Sequence, residues 1–182
     1  EMGEGDALCS TCHSGLSAGT AVVAASEGFG DDDVIPEASF INPHYATAAA
    51  TWLGGYGAAG YQYAGQDYSG RFFHARPVVS CNSCHQPHTL EVEFEPCLTC
   101  HQADSPEDIR IARQSYDGSG DISVVIRSDI NSNSDRLLDM IRDYSAEVVG
   151  VPLIYDGTRY PYFFTDANND GAIDLENGSP VA

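Results

Sequence analysis

All six cysteines of this chain fall in Cys-x-x-Cys pairs, and a histidine follows each pair at once. The motifs are Cys9-Ser-Thr-Cys12-His13, Cys81-Asn-Ser-Cys84-His85 and Cys97-Leu-Thr-Cys100-His101. Cys-x-x-Cys-His is the attachment signature for c-type haem. Two thiols add across the two porphyrin vinyl groups, and two intervening residues set their span. The adjoining imidazole then meets the iron as its fifth ligand. Cys9, Cys12, Cys81, Cys84, Cys97 and Cys100 are therefore the candidate thioether residues, and His13, His85 and His101 the candidate proximal ligands. A disulfide framework gives no reason for every Cys to sit in such a pair with His behind it. A four-Cys zinc ribbon built on Cys81, Cys84, Cys97 and Cys100 leaves Cys9 and Cys12 stranded and explains none of the three histidines. A thioredoxin-like redox motif expects one pair beside a strand–helix unit, not three. Chance alone would place His after all three pairs only a few times in about 100,000.

Three of the six histidines remain: His44, His74 and His88. Three irons with a sixth position and three unassigned imidazoles match, so these are the candidate distal ligands. Met2 and Met140 are the only competing thioethers; one sits near a terminus and the other inside an expected amphipathic helix, where a core role is expected. His88 lies three residues beyond His85. Imidazoles on opposite sides of one iron place their Cα atoms about 12 Å apart, whereas three extended residues span at most about 11 Å. Pro87 stiffens the link further. His88 is thus expected to reach a neighbouring iron: that of the first haem, the third, or a haem of another subunit.

Charge narrows the partners. The eight cations are all Arg and face 27 acids, for a net charge of −19. Nucleic-acid and anionic-membrane binding need clustered cations and are not expected. No stretch approaches the roughly 20 apolar residues of a membrane span, so no membrane insertion is expected. An apolar content of 42% argues equally against a disordered tail.

The 182 residues give about 60 per haem, so porphyrins are expected to supply much of the buried apolar surface. The expected organisation is a trihaem region over 1–104 and a haem-free acidic scaffold or interaction section over 105–182. Asn42-Pro43-His44 reads as a helix start leading through Tyr45 to Leu53, with Gly54 past its end. Residues 54–73, rich in Gly, Tyr and Phe, read as a fixed loop in which Gly permits close backbone approach and rings pack on porphyrin. Phe72-Phe73 would then carry His74 onto an iron. Leu90, Val92 and Phe94 alternate with Glu as a strand would. In the last third, Ser105-Pro106-Glu107-Asp108 reads as a helix start, 122–126 as a strand and 134–144 as an amphipathic helix. Residues 148–155 and 160–164 read as further strands.

Asp166, Asn168, Asp170, Ala172 and Asp174 alternate as oxygen ligands with Gly171 at the sixth place, the first part of an EF-hand-type calcium loop. Asn177 stands at position twelve where a bidentate Glu is usual. A calcium site and a plain Asp/Asn/Gly turn both remain open.

Cys81-Asn-Ser-Cys84-His85-Gln-Pro-His88 followed closely by Cys97-Leu-Thr-Cys100-His101 resembles the multihaem c-type cytochromes of secreted, metal-reducing type. Asn42-Pro43-His44-Tyr45 and Phe72-Phe73-His74 resemble the segments that deliver distal histidines in that family. The resemblance covers roughly residues 8–103. It implies a multihaem cytochrome c fold: low regular secondary structure, with short helices and a few short strands wrapped around three bis-histidine haems. To this the sequence adds a small mixed α/β C-terminal section. The implied role is an electron carrier passing single electrons through closely spaced haems to extracellular acceptors. Its partners would be other redox proteins or other copies of itself, since some family members polymerise into conductive filaments. The alternative is a small multihaem reductase, which requires one iron with an open distal position. Covalent haem attachment happens outside the cytoplasm, so an exported protein is expected, extracellular or at the cell surface, with the periplasm as the alternative. Glu1-Met2-Gly-Glu lacks the basic start and apolar core of a signal peptide, as a processed form would.

Overall fold

A computed structural model describes residues 4–15, 17, 19–43, 47–55 and 62–182. His44, Tyr45, Tyr56, Tyr61 and Met2 lie outside the described residues. Contacts divide the chain into two units, Glu1–Pro96 and Cys97–Ala182. That division falls eight residues before the 104/105 boundary expected from the sequence, so the third Cys-x-x-Cys-His motif belongs to the second unit.

The first unit contains three short helices: α1 (Glu4–His13), α2 (Gly19–Ala25) and α3 (Ala48–Leu53). α1 packs on α3 and on a 3-10 turn at Cys81–Ser83. α3 begins later than the sequence suggests. Residues 41–43 are not helical, and Thr47 precedes the first helical residue in place of Asn42. Its end is as expected, at Gly54, with φ of 58°. There the following loop returns: the Gly55 amide donates to Ser69 O at 2.6 Å and the Phe72 amide to Trp52 O at 2.8 Å. A β-carbon on Gly54 would overlap the Gly70 carbonyl oxygen, so the close approach requires glycine.

Residues 90–95 do not form a strand. A single antiparallel bridge joins His85 to Val92, Leu90 breaks the expected run at its first residue with a φ of 63°, and a 3-10 turn begins at Glu95.

The second unit is organised by α4 (Ile126–Tyr144), which continues into one π-helical turn at Ser145–Val149. α4 starts eight residues before the expected Ser134, and the 122–126 segment read as a strand is instead an irregular approach to the helix, with only Ile126 inside it. The added turns contain Asn131, Ser132 and Asn133, all weak helix formers, and tertiary bonds override that weakness. Asp129, with no exposed surface, is held by Arg110 at 2.9 Å and by the Tyr116 amide at 2.8 Å. Asn133 donates to Tyr116 O at 3.1 Å. The helix expected from Ser105 shortens to a 3-10 turn at Pro106–Asp108, because Ile109 turns extended.

Two antiparallel hairpins follow. β1 (Leu153–Tyr155) pairs with β2 (Phe163–Thr165) in the register Ile154↔Phe164. β3 (Leu175–Glu176) pairs with β4 (Ser179–Pro180) across Asn177-Gly178, both with positive φ, as a two-residue hairpin turn needs. Residues 148–152, expected to begin a strand, lie instead in the π turn and its exit.

Among the described residues, the buried apolar ones are Ala49 and Phe164. No helix among them is long and apolar enough to cross a membrane.

Candidate haem sites

All three motifs are wound into a single helical turn. Cys9, Cys12 and His13 close α1, so they occupy positions i, i+3 and i+4 on one side of the helix. In the second motif Cys84 N donates to Cys81 O at 3.1 Å and His85 N to Cys81 O at 2.9 Å. In the third, Cys100 N and His101 N donate to Cys97 O at the same 3.1 and 2.9 Å. Ser80 sets the second turn, its amide donating to Ser83 Oγ at 3.3 Å while the two hydroxyls meet at 2.7 Å. No disulfide joins any of the six cysteines.

The imidazoles are prepared to different degrees. His85 Nδ1 lies 3.0 Å from the Leu90 carbonyl oxygen. A carbonyl only accepts, so Nδ1 carries the proton and the lone pair is left on Nε2. This is the arrangement that orients a ligating histidine. His74 Nδ1 faces the Ala75 carbonyl at 3.0 Å with the same consequence. His74 follows Phe72 and Phe73, which are 67% and 76% exposed. The segment is anchored by Arg71, whose guanidinium stacks 4.9 Å over Trp52 and 5.4 Å over Phe73. His88 sits at the tip of a tight turn closed by Gln86, whose side-chain oxygen accepts from the His88 and Thr89 amides. Gln86 N donates to Glu91 O and Leu90 N to Gln86 O, which hold the base of that turn. His44 lies outside the described residues.

The donor set fits haem. A porphyrin supplies four nitrogen ligands itself and asks the chain for two thiols in one turn and one or two imidazoles per iron. It needs no preassembled cluster, and among the described residues no three His, Cys, Asp or Glu side chains are gathered closely enough to hold an ion. Exposed Leu8, Phe72, Phe73, Leu90 and Leu98 lie within nine residues of the Cys and His candidates, apolar surface that a porphyrin would cover.

The 166–174 loop is folded by its own amides. Asp166, nearly buried, accepts from Asp170 N at 2.9 Å and Gly171 N at 3.0 Å. Asp170 accepts from Ala172 N at 2.9 Å, Asp174 from Ala167 N at 2.7 Å, and Asn168 points its side-chain amide at Asp170 at 2.9 Å.

Two contributors carry no sequence signal. Asp6 binds the Cys81 amide from 75 residues away, and Arg71 is one of eight arginines until Trp52 is seen beneath it. The chain matches no family model, no curated protein and no solved structure.

Proposed function

We propose that this protein is an exported electron carrier with three covalently attached c-type haems. The observation that carries the reading is the shared turn, in which each Cys-x-x-Cys-His presents two thiols and one imidazole from one helical turn. A haem held by these residues would supply one-electron chemistry between its ferric and ferrous states. The chain's own part is to hold the iron and to limit its chemistry. Cys9/Cys12, Cys81/Cys84 and Cys97/Cys100 would tether the three groups, with His13, His85 and His101 on the near side. His44, His74 and His88 would supply the remaining iron ligands, which would leave no iron position for substrate and would favour conduction over catalysis. The Leu90 carbonyl holds the His85 ring in the tautomer that donates through Nε2. The acidic surface favours the oxidised state and suits soluble or polymeric life among redox partners.

The test is expression of the chain with export and haem-attachment machinery, followed by intact mass and pyridine haemochrome absorbance. Three covalent haems per chain are expected, falling to two when either cysteine pair of the second or third motif is changed to alanine. A colourless product of unmodified mass overturns the reading.

A further inference from the structure

The first and second attachment motifs are far apart in sequence and meet in the first unit. Asp6, in the first turn of α1 and 4% exposed, accepts a hydrogen bond from the Cys81 amide at 2.8 Å. One residue earlier, a β-carbon on Gly5 would come within 3.2 Å of Asn82 Nδ2, so the backbone of α1 lies directly against the second motif. The helix that carries Cys9 packs on the 3-10 turn that carries Cys81. Positions 5 and 6 thus contact residues 82 and 81. A carboxylate this buried must be satisfied, and the amide of a packed second motif is what satisfies it. The third motif lies in the other unit.

We propose that Asp6 is a positioning residue that joins the first two attachment motifs into one site, making the haems on Cys9/Cys12 and Cys81/Cys84 direct neighbours in electron exchange. The inference rests on the haem reading above. It adds which two haems pair and which residue pairs them.

The experiment is electron paramagnetic resonance of the oxidised holoprotein, with haem number counted by intact mass. Cys97→Ala/Cys100→Ala removes the third haem, and the remaining two ferric centres are expected to give a broadened, magnetically coupled spectrum. Two sharp, isolated low-spin signals from that variant overturn the pairing. In the same background Asp6→Leu is expected to lose the coupling with both haems still attached, whereas Asp6→Asn, which keeps an acceptor oxygen, retains it. Coupling that survives Asp6→Leu removes Asp6 from the proposal. If Asp6→Leu fails to mature, the parent variant still decides the pairing. A colourless product overturns the haem reading and this inference together, whereas a red protein with uncoupled haems overturns the pairing alone.

Discussion

Cys81 sits against Asp6, and its thiol is pushed up to about 12, by burial first and then by the Asp6 carboxylate and the adjacent Cys9 thiol. A thiol held neutral resists oxidation and alkylation, because the thiolate is the reactive form. The leading cysteine of the second motif is therefore expected to react slowly in the haem-free chain, through burial first and the Asp6 contact second.

That protection is measurable. In the haem-free chain at pH 8, iodoacetamide should label Cys81 slowly, and Asp6→Ala should accelerate it severalfold, because removing the anion lowers the thiol pKa. Peptide mapping over time reads the rate. An unchanged rate in Asp6→Ala would show that the carboxylate does not act on the thiol.

His88 stands at the tip of its turn while His85 is held at the base by Leu90. With the two assigned to different irons, His88→Ala should convert one of three haems to high spin while all three stay attached. His74→Ala should do the same to a different one. Absorbance and mass together check this; an all-low-spin spectrum in either variant removes that histidine from the ligand set.

Gly54 has a φ of 58° and no room for a β-carbon beneath Gly70. Gly54→Ala should cost about 1–3 kcal/mol for a backbone at φ 58° and ψ −133° alone, with the collision in addition. Loosening of the 62–74 loop should follow, seen as a melting temperature several degrees lower and a weakened His74 effect. A melting temperature equal to that of the parent would contradict the close approach.

Asp129 is held below the usual carboxylate range by the Arg110 guanidinium first and the Tyr116 amide second. A carboxylate depressed in the folded state stabilises fully above its ordinary value of 3.8, and this is lost as pH falls through the lower folded value. Melting temperature should hold from pH 7 to 5 and drop below about pH 4. Asp129→Asn should lower it at neutral pH and flatten the acid limb. A parallel acid limb in the variant would assign the sensitivity to other carboxylates, such as Asp117 and Asp121, which are depressed by their own Ser115 and Ser123 hydroxyls.

Calcium at 166–174 predicts that chelation lowers thermal stability and that Asp166→Ala abolishes the response. An unchanged melt assigns these residues to a turn closed by the Asp170 and Gly171 amides.

The candidate haem residues were readable because the signature is local: Cys, Cys and His within five positions are positioned by one turn of backbone. Gly54 was readable for the same reason, since glycine after a helical run marks its end. Longer elements were less legible. The Asn131–Ser134 run opposes a helix there, and the buried Arg110–Asp129 pair, with the Tyr116 bonds to Asp129 and Asn133, holds α4 in place. The strand pattern at 90–95 failed because alternation needs a partner strand, and one bridge at Val92 is all it finds.

The sequence by itself determined the chemistry this chain offers: three thiol pairs each with an adjoining imidazole, three further histidines and a surface of net charge −19. Which of these lie together was decided by tertiary structure. Asp6 reaches Cys81, Arg71 lies between Trp52 and Phe73, and Asp129 draws Arg110 onto α4. Side chains distant in sequence become neighbours only when the backbone between them has folded, and no local pattern of residues records that closure.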